Sequence, residues 1–577
     1  MTTTSATFTP PSPGAWELEQ THITRPPSVF TAAVLPDPMM AGFKDGTRHY
    51  GLLLDYFEVA VINRFVYMAV RPVGAPKSAK GPPPKLLFAV LRRVHPEIRR
   101  RLRRAKTVFR DRLWRQDVAL WDQELRPRLS AQARALLAED LSQATDAQLA
   151  DHVRRSAALL RDAVYTHHRL NFCGLLPVGD FLIHAMEWTG MPAGDLLQTM
   201  RGLSPVSAGA VEELTALRSA LLQAPDALAL VRSNASDADI LAQLQARQDG
   251  VGAAARAYVG VVGLRILGGY DVADRHAREH PEMIVKVIRA SVNGEDAKRR
   301  EAATQAVARV RERVPQEHRE QFDALIAEAQ SVYRVRDERV FFGDMMASGI
   351  ARRAILAAGA RLVSEGRAVD AEDLVDATPE EIVALLERRP GPSSAELAER
   401  ARWRRETPMT AAPANLGFEP SPPPPAEWLP GEAARLQRIT ALVLSLLFDV
   451  HKGAPAQTET PSSPVADGVT GTRLKGFPVS AGVYEGPVRV IRDIEELPTV
   501  QHGEVLVAAA TGSTFNVVLP LIGALVTERG GVLSHAAIVS REYGLPGVVG
   551  CVGAMKALKT GMRVRVDGDR GEVWTIA

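Results

Sequence analysis

Thr527-Glu528-Arg529-Gly530-Gly531-Val532-Leu533-Ser534-His535-Ala536-Ala537-Ile538-Val539-Ser540-Arg541-Glu542-Tyr543-Gly544-Leu545-Pro546 is the stretch on which the reading of this chain turns. The apolar run Ala524 to Thr527 leads into it and reads as a short buried strand. Gly530 and Gly531 let the backbone turn sharply or take a positive φ. Ser534 is a good N-cap, Ala536 to Tyr543 reads as a helix, and Gly544 with Pro546 ends it. His535 is therefore placed in the first turn of a helix, beside a glycine loop.

That position suits a histidine that carries an anion. Unpaired backbone N–H groups and the positive end of the helix dipole favour a phosphoryl group there. The same field disfavours imidazolium and so helps keep the ring neutral. A neutral imidazole has a lone pair that can attack phosphorus. Ala536 and Ala537 are small and leave room around the ring. On position alone, a lone histidine is more often a plain helix-start residue. The whole pattern decides otherwise.

Around this stretch, Gly471 to Ala577 reads as a small α/β module. Strand candidates are Gly486 to Ile491, Glu504 to Ala508, Ala524 to Thr527, Gly547 to Cys551, Arg563 to Val566 and Glu572 to Ile576. The last two flank Asp567 to Gly571, a hairpin signal. Before the module, Lys452 to Arg473 is rich in Pro, Ser and Thr and predicts a flexible tether. Further back, residues 407–470 read as Pro-rich linkers around a short helix near Gly431 to His451.

Residues 86–406 read as one large all-helical domain. Ala, Leu, Arg, Glu and Gln dominate, and apolar positions recur every three or four residues, as at Val307, Val310 and Val314. Residues 1–85 read as irregular, except that Phe57 to Val70 fits either a strand pair or a short buried helix. The fold class is thus multidomain: a large helical domain followed by a small α/β domain.

The bulk properties exclude several classes. Seventy basic against 67 acidic residues leave a net charge of +3, which gives no reason to expect nucleic acid or an anionic membrane as partner. Two cysteines, Cys173 and Cys551, support neither a disulfide framework nor a cysteine metal site. The first residues lack a signal-peptide pattern. The longest apolar runs fall short of the ~18–20 residues that span a bilayer. A cytoplasmic protein with no metal site is expected. The run Arg99 to Arg115 holds nine basic residues and reads as a helix with a basic, solvated face.

The stretch from Gly530 to Gly550, GGVLSHAAIVSREYGLPGVVG, resembles the phosphohistidine signature of the PEP-utilising enzymes. The flanks GVYEGPVRVI, from Gly482, and VRVDGDRGEVWTI, from Val564, are similar too, so the likeness covers Gly471 to Ala577. It implies a swivelling domain with His535 as the phosphoryl carrier and Gly530, Gly531, Ser534 and Arg541 in its loop. Ser540 and Leu545 are mild departures, and AATGSTFNVVLP at Ala509 to Pro520 departs from the family's usual Thr-Asp-Pro segment. Arg336 to Leu386 resembles the acceptor-binding region of the rifampin phosphotransferase branch. That likeness spreads over about residues 160–390, where GGYDVADRHAREHPEM at Gly268 to Met283 replaces the family's His-Arg-Gly segment. His276, His280, Arg275, Arg339 and Asp344 are candidates for an acceptor site, which needs a base for the acceptor proton and an arginine for the phosphoryl oxygens. His167 and His168 fit core packing better.

The family's nucleotide-binding ATP-grasp domain has no candidate in Met1 to Leu386, and no PEP-binding barrel is read in this sequence. The resemblance therefore implies a phosphotransferase component. A separate ATP-grasp subunit would bind ATP and Mg²⁺ and charge His535, PEP remaining a possible donor. A small organic molecule would be the acceptor. Two other readings are a PEP-synthase-like enzyme acting on pyruvate and a non-enzymatic phosphocarrier or binding module.

Overall fold

The computed structural model describes residues 7–20, 23, 25–204, 206, 212–266, 270–292, 296–419, 422–448, 469–492, 494–512, 515, 518–519 and 521–576. The chain forms two compact units, each assembled from separate stretches of sequence. One holds Met1–Leu176, Tyr270–Asp274 and Glu338–Thr440; the other holds Pro177–Gly269, Arg275–Asp337 and Ala441–Ala577.

The first unit corrects the expectation of an irregular N-terminal segment. Residues 1–85 contain β1 (Ala15–Leu18), helices Val29–Val34 and Pro36–Tyr50, and a hairpin of β2 (Leu54–Ile62) and β3 (Phe65–Pro72). The ambiguous Phe57 to Val70 stretch is this strand pair. Its two-residue turn places Asn63 at φ 48° and Arg64 at φ 67°. Such a turn is usually signalled by Asn-Gly, so an arginine at the second position hides it. Tertiary contacts hold Arg64 there: its guanidinium donates to the Arg400 carbonyl and to Asp376, and stacks over Trp403.

The Pro-rich segment likewise contributes structure. β4 (Asn415–Gly417) pairs antiparallel with β1, giving a four-stranded sheet of order β2-β3-β1-β4. Trp16, fully buried, anchors its core with Phe65, Tyr67, Met409 and Ala412. The sheet accompanies long helices at Asp146–Arg169 and Met345–Ser364, the first opened by a Thr145–Gln148 capping box. The basic run is not one solvated face. Arg101 is buried, donating to the Leu52 carbonyl and pairing with Asp55 and Glu97.

The second unit combines helices, among them Gly250–Val262, Asp296–Arg313 and Arg319–Tyr333, with the α/β module. The module's strands are β5 (Val469–Lys475), β6 (Phe477–Ser480), β7 (Val483–Ile491), β8 (Val505–Ala508), β9 (Ala524–Thr527), β10 (Gly547–Val549), β11 (Arg563–Asp567) and β12 (Glu572–Ile576). They form one sheet of order β5-β12-β11-β7-β8-β9-β10-β6. The β7-β8-β9-β10 ribs are parallel and the outer pairs antiparallel. Val488, Val490, Val505, Val507, Val526, Val564 and Val566 fill its core. A strand buried on both faces reads as a continuous apolar run, which is why these strands were legible. Residues 449–468, most of the expected tether, lie outside the described residues. Among the described residues, no helix is long and apolar enough to cross a membrane.

Candidate functional site

The loop before His535 is built as its residues suggest. Gly530 sits at φ 108°, a conformation that glycine takes without strain. Gly531 passes so close to the helix Gly431–Phe448 that a Cβ there would lie 2.2 Å from the Leu446 carbonyl oxygen. The Leu533 N–H donates to that same carbonyl. Ser534 caps the helix His535–Tyr543 by accepting from the Ala537 N–H, and Gly544, at φ 65°, closes it. Arg541 is buried, and its guanidinium donates to the carbonyls of Val532 and Val479, bracing the loop from behind.

The two nitrogens of His535 are in different environments. Nδ1 lies 3.0 Å from the Thr511 hydroxyl. Nε2 is buried and has no hydrogen-bond partner among the described residues. When Nδ1–H donates to Thr511, the lone pair is on Nε2, which is the tautomer that can attack phosphorus. Thr511→Val keeps the shape and removes the acceptor. Losing one hydrogen bond of about 1 kcal/mol predicts roughly fivefold slower phosphorylation, read as incorporation of acid-labile label.

The ring is held neutral. Burial pushes its pKa down to about 4; Asp337 opposes this shift and Arg336 reinforces it. Burial is the largest cause. A group whose folded pKa is lowered stays neutral below the ordinary histidine range, and its burial costs stability as pH falls through 6.5, where the unfolded chain takes up a proton. In an NMR titration of the full chain, the His535 ring is expected to keep its neutral shifts from pH 7 to pH 5. A midpoint near 6.5 would contradict the buried geometry.

Two consecutive helices border the loop: Tyr333 ends the helix Arg319–Tyr333, and Arg336 and Asp337 lie in the short helix Val335–Arg339. Tyr333 bonds Arg541, and Arg336 donates to the Leu533 carbonyl. Asp337 accepts from the Ser204 hydroxyl at 2.5 Å. At the far end of the His535 helix, Glu542 accepts from the Gly202 N–H at 2.6 Å, and burial pushes its pKa up to about 8.

The five acceptor candidates are divided between the two units. Arg275 is exposed. The His276 backbone N–H donates to Glu279 within a short 3₁₀ turn, and His280 pairs with Glu282. These three lie in the unit that holds His535; Arg339 and Asp344 belong to the other. There, Arg339 donates to the His167 carbonyl, and buried Asp344 meets His167 Nδ1 at 2.5 Å. Burial raises the Asp344 pKa well above the carboxylate range. His168 stacks on Phe43. Thr511, Ser204, Arg336 and Asp337 were not singled out by sequence. Among the described residues, no group of three or more His, Cys, Asp or Glu side chains could hold a metal ion.

Comparison with known proteins agrees with this geometry. Residues 500–571 match the family described as PEP-utilising enzyme, mobile domain, and residues 179–337 match the rifampicin phosphotransferase fourth domain. A rifampicin phosphotransferase of Bacillus cereus is 45% identical over 100 residues, 17% of this chain and 11% of that protein. The phosphoenolpyruvate synthase of Pyrococcus furiosus is 48% identical over 101 residues, 18% of this chain and 12% of that protein. An uncharacterised phosphotransferase of Bacillus subtilis, YvkC, is 29% identical over 263 residues, 45% of this chain and 28% of that protein. The chain therefore spans only 11% to 28% of the length of these relatives.

Proposed function

We propose that this chain, whose C-terminal domain is a mobile domain of the PEP-utilising enzymes, carries a phosphoryl group on His535 Nε2 and passes it to a small organic acceptor. The observation that carries the reading is the asymmetry of the ring at the start of a capped helix: Nδ1 is engaged by Thr511, while Nε2 has no partner among the described residues. The donor is ATP, used with Mg²⁺ by a separate ATP-grasp protein that charges His535. The match of residues 179–337 to a rifampicin phosphotransferase domain favours an organic acceptor over pyruvate. The likeness to phosphoenolpyruvate synthase keeps pyruvate as the second reading.

The test is incubation of the full chain with γ-labelled ATP, β-labelled ATP or labelled PEP, each with and without a candidate ATP-grasp protein. Acid-labile label that depends on the partner and on ATP supports the reading. Label from PEP alone would replace ATP as the donor. Stable phosphohistidine that no small molecule discharges would favour a phosphocarrier role.

A further inference from the structure

We propose that the helix Lys85–Val94 lies on the surface of an anionic bilayer and docks the first unit there. The proposal does not depend on the phosphoryl reading of His535.

This helix turns an apolar face outward. Phe88 and Arg92, one turn apart, fix its inner side: the Phe88 ring lies 6.0 Å from that of Trp428, and Arg92 donates to the Trp428 carbonyl at 2.9 Å. Leu86, Val90 and Val94 recur every four residues and fall on the opposite side. They are 83%, 52% and 62% exposed, and Leu87 beside them is 49% exposed. A single exposed leucine needs no explanation, but these four aliphatic side chains along one short helix form a patch.

Basic residues frame the patch. Lys80 and Lys85 are exposed at its start and Arg93 near its end. The next helix, Pro96–Val108, exposes Arg99, Arg103 and Lys106 at three- and four-residue spacing. No aspartate or glutamate occurs from Val59 to Pro96. Glu97, the next acid, is bonded by Arg100 and Arg101. The net charge of +3 is an average over the chain that conceals this one-signed stretch.

Aliphatic residues in a basic frame are the chemistry of an interfacial helix. The apolar side chains enter the headgroup boundary while lysine and arginine meet anionic lipid. The helix is about 15 Å long, too short to span a bilayer, so it lies in the plane of the surface. A protein partner fits less well. Interface hot spots favour Trp, Tyr and Arg over Leu and Val, and the outward stripe holds no aromatic residue. A second copy of the chain fits less well again, because a two-fold contact sets the basic frame against itself.

The full chain is sedimented with vesicles of phosphatidylcholine alone, and of three parts phosphatidylcholine to one part phosphatidylglycerol. The expected result is binding to the mixed vesicles that weakens at least about tenfold without the anionic lipid, and again in about 1 M salt, where the screening length falls to about 3 Å. Leu86→Asp/Val90→Asp, with unchanged melting, should weaken it about 100-fold, since two aliphatic side chains no longer leave water. Lys80→Gln, Lys85→Gln and Arg93→Gln should each weaken it about fivefold. Val90→Trp gives a reading that does not rest on loss: its emission should shift to the blue on addition of mixed vesicles. A wild-type chain that leaves the mixed vesicles unbound would overturn the proposal, as would a double aspartate variant that binds them as the wild type does. Self-association that the double variant abolishes, without vesicle binding, would also overturn it and make a second copy the occupant.

Discussion

His535→Ala is expected to abolish acid-labile phosphorylation of the full chain, leaving less than about one thousandth of wild-type incorporation. Alanine offers no nucleophile, and covalent transfer has no bypass when the attacking atom is removed. The fold should survive. Among the described residues the ring makes one hydrogen bond, to Thr511, in the first turn of a helix whose cap is Ser534. Removing it also relieves a buried, titratable ring. The expected cost is about 1 kcal/mol, the centre of the range for single substitutions. His535→Asn, which keeps a polar group beside Thr511, should be equally inactive and closer to wild type in melting. Label that persists in both variants would place the carrier on another histidine.

The C-terminal module was legible because each of its signals is local. Valine runs between glycines mark the central strands, and Ser534, Gly530 and Gly544 punctuate the histidine helix over a few residues. What sequence missed there are the edges. β5 lies in the stretch read as tether and β6, Phe477–Ser480, contains a proline, which demotes a strand candidate. Thr511 lay in the segment noticed only for its departure from the family pattern, yet its hydroxyl is what distinguishes the two ring nitrogens.

The helical parts were legible as helices but not as an arrangement. A helical pattern shows which residues share a face; it does not show what that face meets. Arg336, Asp337, Glu338 and Arg339 are four charged residues in a row, and nothing in their order tells which borders His535. The fold divides them: Arg336 and Asp337 act on the histidine ring, while Glu338 accepts from Trp121 and Arg339 donates to His167 in the other unit. His167, read as packing, turns out to hold Asp344. The N-terminal hairpin was hidden for a similar reason: its turn is imposed by contacts more than 300 residues away rather than by its own sequence.

Those distant contacts lead to the largest stability effect expected in the chain. Asp376→Ala should destabilise the first unit by about 3–5 kcal/mol, because removing one partner of a buried ion pair leaves the others uncompensated. Asp376 is fully buried. One carboxylate oxygen accepts from Arg64 at 2.8 Å and the other from Arg404 at 2.9 Å. Arg404 is itself buried, in the helix Ser394–Glu406. One carboxylate therefore joins that helix to the β2–β3 turn, and it holds Arg64 at the positive φ the turn requires. Arg64→Gly should cost less than Asp376→Ala, since glycine takes φ 67° readily and Asp376 keeps Arg404. Asp376→Asn, which still accepts from an arginine, should fall between. Chemical denaturation of the three variants orders them. If Asp376→Ala costs under about 1 kcal/mol, water reaches Arg404 and the triad is not a buried brace. His535 lies in the other unit, so labelling it at a temperature below the Asp376→Ala transition should proceed at the wild-type rate.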